Sequence, residues 1–292
     1  MKLALKIDVQ TLRGTRQGVP RLIELLQKHN ARATFFFCVG PDHSARFVKQ
    51  LLRTKILKYY GIPSLLYGVA LPGPDIGKKC GDIMRKTRDA GNEVGLQAYD
   101  AAAWLNHAAQ GDAVWSEKQM RLGCERFAEI FGEPPVARAA AGWQMSLHAY
   151  RMSQRMGFQY CSDTRGRCPF IPIYHGEIIA CPQLPTTLPT LDEAITTARL
   201  EGCAEHILNS SSDAPATGHL YTLRAELEGM KLAPIFERLM QGWRDRGFEL
   251  VALRDLYASL ETGRLPRHEV ELGKWPGTNS VIMLQAREFL AA

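Results

Sequence analysis

Short apolar runs alternating with amphipathic stretches eight times over leave a chain few folds, because each strand needs a neighbour and each helix must cover a sheet face. The runs fall at residues 1–9, 31–40, 92–99, 135–142, 158–163, 177–184, 219–226 and 248–253. Helical patterns stand between most of them, as at 18–29, where Leu22, Ile23, Leu25 and Leu26 share one face, and at 81–90, 116–131, 146–156 and 232–246. Gly132, Gly157 and Gly247 stand where helices should stop. The run ARATFFFCVG is nearly all apolar, which suits a strand covered on both faces of a parallel sheet. No low-complexity linker divides the 292 residues. The pattern predicts one α/β domain over residues 1–292, a closed or nearly closed (β/α) barrel.

In such barrels chemistry gathers at the C-terminal ends of the strands. Here those ends carry Asp8 and Gln10, Cys38, Gln97 with Tyr99 and Asp100, Arg138 with Trp143, Asp163 with Arg165, Gln183, and Arg224 with Glu226. Asp8 ends the alternating strand KLALKIDV and is a candidate catalytic carboxylate, although aspartates after strands also cap turns. Tyr99, Arg138, Trp143, Arg165 and Glu226 are candidate substrate contacts. Ion pairing at loop ends, or core packing for Trp143, is the structural alternative.

A formal charge of +6 favours an anionic partner: a phosphorylated substrate, an anionic membrane surface or nucleic acid. Nucleic acid is disfavoured, because the basic residues are spread over many helices and no aromatic-basic strand motif is present. Seven cysteines without a C-x-x-C pair argue against a zinc module or a disulfide framework. The first residues enter a strand directly, and no run approaches the ~18 apolar residues that span a bilayer. The expectation is a cytoplasmic protein with room for peripheral contact at the inner membrane. That contact would come from a basic, apolar insertion at about 41–79, where Phe47, Val48, Leu51 and Leu52 interleave with Arg46, Lys49 and Arg53. An ordinary amphipathic helix over the barrel is the alternative.

The motifs IDVQTLRGTRQGVPRL, ARATFFFCVGPD, AGNEVGLQAYD, AAGWQ, YCSDTRG, PQLPTTLPTLDE and LYTLRAELEGM, in that order, resemble the polysaccharide-deacetylase family, and within it the formamido-arabinose-phosphoundecaprenol deformylase branch. The resemblance implies a distorted (β/α) barrel that removes a formyl group from a lipid-phosphate-linked aminoarabinose in lipid A modification. It also implies a divalent metal (zinc, cobalt or manganese) held by one aspartate and two histidines, a second aspartate as base and a histidine as acid. Asp8 matches the base, and Asp163 matches the carboxylate that orients the acid.

Four positions depart from the pattern. Gln10, Gln97 and Ala101 stand where the metal ligands are expected, and Arg224 stands where the acid is expected. A neutral amide is a poor ligand for a divalent cation, alanine is none, and a guanidinium cannot shuttle a proton. None of the eight histidines forms an H-x-x-x-H or H-E-x-x-H pair, and His107, a few residues after Ala101, lies in a polar loop. No metal cofactor is therefore expected in this chain. Arg224 is expected to pair with Asp8 and Asp163 in place of the missing cation.

Two readings stay open. One is a deformylase or deacetylase by descent that has lost activity, as a natural pseudoenzyme or as a chain with its catalytic residues replaced by design. The other is a non-catalytic binding protein for an anionic sugar or lipid phosphate.

Overall fold

Leu3, Leu5, Ile7 and Val9 point to one side of the first strand, β1 (Lys2–Val9), and Ala4, Lys6 and Asp8 to the other. Both rows are buried, the first under helices and the second inside a curled parallel sheet. The computed structural model describes residues 1–47, 66–197, 199–278 and 280–290. From β1 the sheet runs through β2 (Thr34–Cys38), β3 (Glu93–Ala98), β4 (Ala137–Arg138) and β5 (Tyr160–Cys161). The chain then leaves for a second sheet with β6 (Ile171–Tyr174) and β7 (Glu177–Ile178), and returns as β8 (His219–Arg224) on the far side of β1. β9 (Glu249–Val251) pairs with the start of β1. This is the distorted (β/α) barrel that the motifs imply.

The register sets the level of the site. Asp8 lies between Phe36 of β2 and Arg224 of β8, and Leu96 of β3 pairs with Arg138 of β4. The side chains at the ends of β1, β3, β4 and β8 therefore meet at one mouth.

The expected strand over 177–184 is divided. Residues 177–178 join the second sheet, and residues 182–188 close the barrel between β5 and β8. There Leu184 N donates to Cys161 O at 2.8 Å and Thr187 N to Leu220 O at 3.0 Å. Pro182, Pro185 and Pro189 lack amide donors, so this segment bridges the gap without forming a regular ladder. The run over 135–142 is shorter than expected for a related reason: after β4 the backbone turns through Gly142 at φ 60° and Trp143 at φ 52°.

The C-terminal tail forms a hairpin, β10 (Arg267–Lys274) and β11 (Val281–Glu288), in a sheet ordered β11-β10-β6-β7. It docks at the mouth. Arg165 N donates to Met283 O at 3.0 Å and Gln285 N to Arg165 O at 2.8 Å.

Helices begin where the sequence supplies caps. Asp75, Asp100, Asp112 and Ser146 accept backbone N–H groups ahead of Ile76–Asp89, Ala101–His107, Ala113–Phe131 and Leu147–Arg155. Gly132, Gly157 and Gly247 adopt φ of 79°, 75° and 80° after helices, as the sequence predicts. Most of the basic insertion, residues 48–65, lies outside the described residues. Of its remainder, Leu66, Val69 and Leu71 are exposed on a turn.

Candidate functional site

The mouth is an ionic cluster assembled from strand ends. Asp8, at the end of β1, is 5% exposed, and Lys6 on the same inward row is fully buried, its Nζ 3.8 Å from Asp8 Oδ1. Burial pushes the Asp8 carboxyl up, held back by Lys6, Arg224 and the Gln97 amide. Burial pushes the Lys6 ammonium down, held back by Asp8 and Asp163. The Lys6 Nζ donates to Ser162 O at 2.9 Å.

Deeper pairs are closed to solvent. Arg138 Nη1 donates to Asp163 Oδ1 at 3.0 Å, and its guanidinium lies 4.4 Å from the Trp104 ring centre. Asp163 Oδ2 accepts from Gln183 Nε2 at 3.2 Å. Arg165 donates to Thr186 O, Leu188 O and, at 2.9 Å, Glu193 Oε2. Its guanidinium is stacked 4.5 Å from the Trp275 ring centre and 5.4 Å from that of Trp143. Burial raises the Glu193 carboxyl to about 7 in spite of Arg165.

At the rim, Arg224 Nη2 pairs with Asp192 Oδ2 at 3.0 Å, and both side chains keep about a fifth of their surface. Arg224 bears on Asp8 as expected, but its ion pair is with Asp192, and the expected pairing with Asp163 is corrected here. Helix Leu191–Thr197 brings in Asp192, and Arg138 already holds Asp163. Glu228 accepts the Arg224 backbone N–H at 3.0 Å and the Tyr221 hydroxyl at 3.2 Å, and burial lifts its carboxyl to about 8.

Glu226 holds the chain in place. One oxygen accepts from Gln10 N, Thr11 N and Thr11 Oγ1 at 2.8–3.0 Å, pinning the turn after β1. A Cβ at Gly14 would overlap that carboxylate, so the close approach requires glycine. Gln97 is fully buried, and its Oε1 accepts from the Cys38 thiol at 3.3 Å. Ala101 opens a helix capped by Asp100, whose other oxygen meets His43 Nδ1 at 2.6 Å. Tyr99 is partly exposed, and Trp143 is buried with its ring 5.5 Å from Lys6 Nζ.

Contacts through Lys6 and Asp8 link Gln97, Arg138, Trp143, Asp163, Arg165 and Arg224, and Glu226 holds Gln10, while Tyr99 packs on Gly40 and Ala101 opens the following helix. Lys6, Asp192, Glu193 and Glu228 are additions. The signal for Lys6 was present, a lysine on the Asp8 side of an otherwise apolar strand. Asp192 and Glu193 had none in periodicity.

A relative from Shewanella sediminis, described as a probable 4-deoxy-4-formamido-L-arabinose-phosphoundecaprenol deformylase, is 36% identical over 264 residues, 87% of this chain and 85% of that one. This chain belongs to that deformylase family. A Wigglesworthia glossinidia brevipalpis member with the same description is 30% identical over 94% of this chain and 99% of its own. No family model matches. Among solved structures, a Mycobacterium smegmatis chain described as a polysaccharide deacetylase superposes with a TM-score of 0.63 at 16% identity, covering 94% of each chain. A Clostridium thermocellum family 4 acetyl xylan esterase, solved with a cobalt ion, superposes at 0.53 with 13% identity over 88% of this chain and 91% of that one.

That esterase holds a cobalt ion, but the residues here do not fit a metal. Among the described residues, no group of three or more His, Cys, Asp or Glu side chains is arranged to hold a metal ion. Gln10 and Gln97 are neutral, Ala101 offers no donor atom, and Asp8 already faces the Lys6 ammonium.

Proposed function

We propose that this member of the deformylase family binds an undecaprenyl-phosphate-linked amino sugar and no longer hydrolyses its formamide through a metal. The observation that carries this reading is the self-neutralised mouth. Lys6, Arg138, Arg165 and Arg224 stand against Asp8, Asp163, Glu193 and Asp192, so each of these four carboxylates already faces a cation of the protein. Arg224, in the position of the proton donor, stays a cation at all working pH and suits a phosphate oxygen instead. Tyr99 and Arg224 retain surface for ligand contact, while Arg138, Arg165 and Glu226 act by positioning the mouth. Retained Asp8 and Asp163 are the remnant of the hydrolytic machinery.

The substrate class is supported by the names of the two relatives, both deformylases of a phosphoundecaprenol-linked sugar. Work at the cytoplasmic face of the inner membrane suits such a ligand. It is supported by the exposed Leu66, Val69 and Leu71 on a turn that Arg46 Nε holds through Gly68 O.

The test is elemental analysis with a mass-spectrometric deformylation assay, on this chain and on a Gln10→Asp, Gln97→His, Ala101→His, Arg224→His variant. Expected are no stoichiometric metal and no product from the present chain, with metal uptake and at least ~100-fold more product from the variant. Stoichiometric metal or turnover in the present chain overturns the loss of hydrolysis. Calorimetry with a short-chain polyprenyl-phosphate amino sugar tests binding, and absence of heat overturns it.

A further inference from the structure

β6 pairs with β10 as far as Glu269 opposite Ile173, then turns at once into β7 through His175 and Gly176, whose φ of 50° and 79° fit a tight hairpin turn. β10 runs on to Lys274. Between the departing turn and residues 269–272 lies a groove of about 390 Å³.

The bonds on either side of β10 fix which way its backbone faces. Ile171 N donates to Pro266 O and Phe289 N to Arg267 O, so even-numbered residues of β10 face β6 and odd-numbered ones face β11. β11 agrees, because Met283 O and Gln285 N are engaged by Arg165, which leaves Leu284 to pair with Glu271. The N–H and C=O of Leu272 therefore point into the space that β6 has left. Leu272 is 41% exposed, and among the described residues no backbone bond outside the β10–β11 ladder reaches it.

An unpaired strand edge is a template for another strand, and native sheets cover or blunt such edges. Here Arg165 covers β11 and β7 is very short, whereas the open stretch 270–273 carries neither proline nor lysine. The lining selects the occupant. Glu269 and Glu271 border the groove and no lysine or arginine does, in a chain of formal charge +6. Arg287 holds Glu269, while Glu271 is exposed, and buried Ile173 and Val270 add apolar surface. A second copy of β10 paired about Leu272 would set Glu271 opposite Gly273 and Lys274 opposite Val270, meeting neither carboxylate with a cation.

We propose that this groove is a strand-addition site for an extended segment of a partner protein that carries lysine or arginine. β11 stands between it and Arg165, so the site is separate from sugar binding at the mouth.

The test is fluorescence anisotropy with the labelled pentapeptide KVTVK on the full chain. Saturable binding is expected, weakened at least tenfold in Glu271→Lys. N-methylation of the peptide, on both valine amides or on the threonine amide, tests the geometry. Alternate N–H groups of a strand face the same neighbour, so one pattern should abolish binding and the other leave it within about twofold. The methylated peptides leave the protein untouched, and this arm decides should Glu271→Lys fail to fold. No saturation by about 1 mM, equal loss from both methylation patterns, or undiminished binding in Glu271→Lys overturns the proposal. Sedimentation showing a dimer that the peptide dissociates assigns the groove to a second copy and overturns it as well.

Discussion

Arg165–Glu193 and Arg224–Asp192 are the same chemical pair at nearly the same length, 2.9 and 3.0 Å, in two different places. The first is sealed beneath Trp143, Trp275 and the C-terminal hairpin, with Arg165 fully buried. The second stands at the rim, where water reaches both partners. Distance alone would rank them equal. Burial separates them: the Nη groups of the inner guanidinium depend on protein acceptors, while the rim one can exchange its carboxylate for a ligand. The inner pair organises the mouth, and the rim pair is available to it.

The largest expected effect breaks the inner pair. Arg165→Ala leaves Glu193 buried without its cation and strips Thr186 O and Leu188 O of a donor, so chemical denaturation should give a loss of ~3–5 kcal/mol. A loss below ~1 kcal/mol would mean that the two pairs are energetically alike. Gly14→Val comes next, because its side chain would displace the Glu226 carboxylate from the turn after β1. About 1–3 kcal/mol should be lost, read as a lower denaturant midpoint at unchanged slope.

The third prediction concerns the base of the rim. Glu228 binds its proton up to about pH 8 when folded and up to about 4.5 when unfolded. Between those values the folded chain holds a proton that the unfolded chain has released, so stability falls as pH rises across this window, by at most about 1.4 kcal/mol per pH unit. Stability against pH should be flatter there in Glu228→Gln, and an unchanged slope would assign the proton elsewhere. The smallest effect belongs to the rim pair itself. Arg224→Gln should change stability by ~0–1 kcal/mol while weakening phosphosugar binding at least tenfold. Equal binding in calorimetry would reduce Arg224 to a surface ion pair.

The alternation of β1 was legible in the chain because period-two patterning dictates which residues point inward, and it put Asp8 at a strand end. The glycine stops and the repeated strand-helix order were legible for the same local reason, and with the motifs they led to the barrel. The substitutions at Gln10, Gln97, Ala101 and Arg224 were also legible, since the loss of a donor atom is a property of the residue itself.

Partnership was not. Arg224 could be expected beside Asp8, because the register sets those two residues side by side, but not its ion pair with Asp192, which a helix more than 30 residues earlier in the chain carries to the rim. The closing segment 182–188 follows the same rule. Its prolines mark it as a poor strand, and only the gap between β5 and β8 makes it the wall of the barrel. Local sequence determined the elements and which chemical groups their ends carry. Which charge meets which, and which of them water can reach, depended on segments remote in the chain packing against one another, and local pattern carries no record of that.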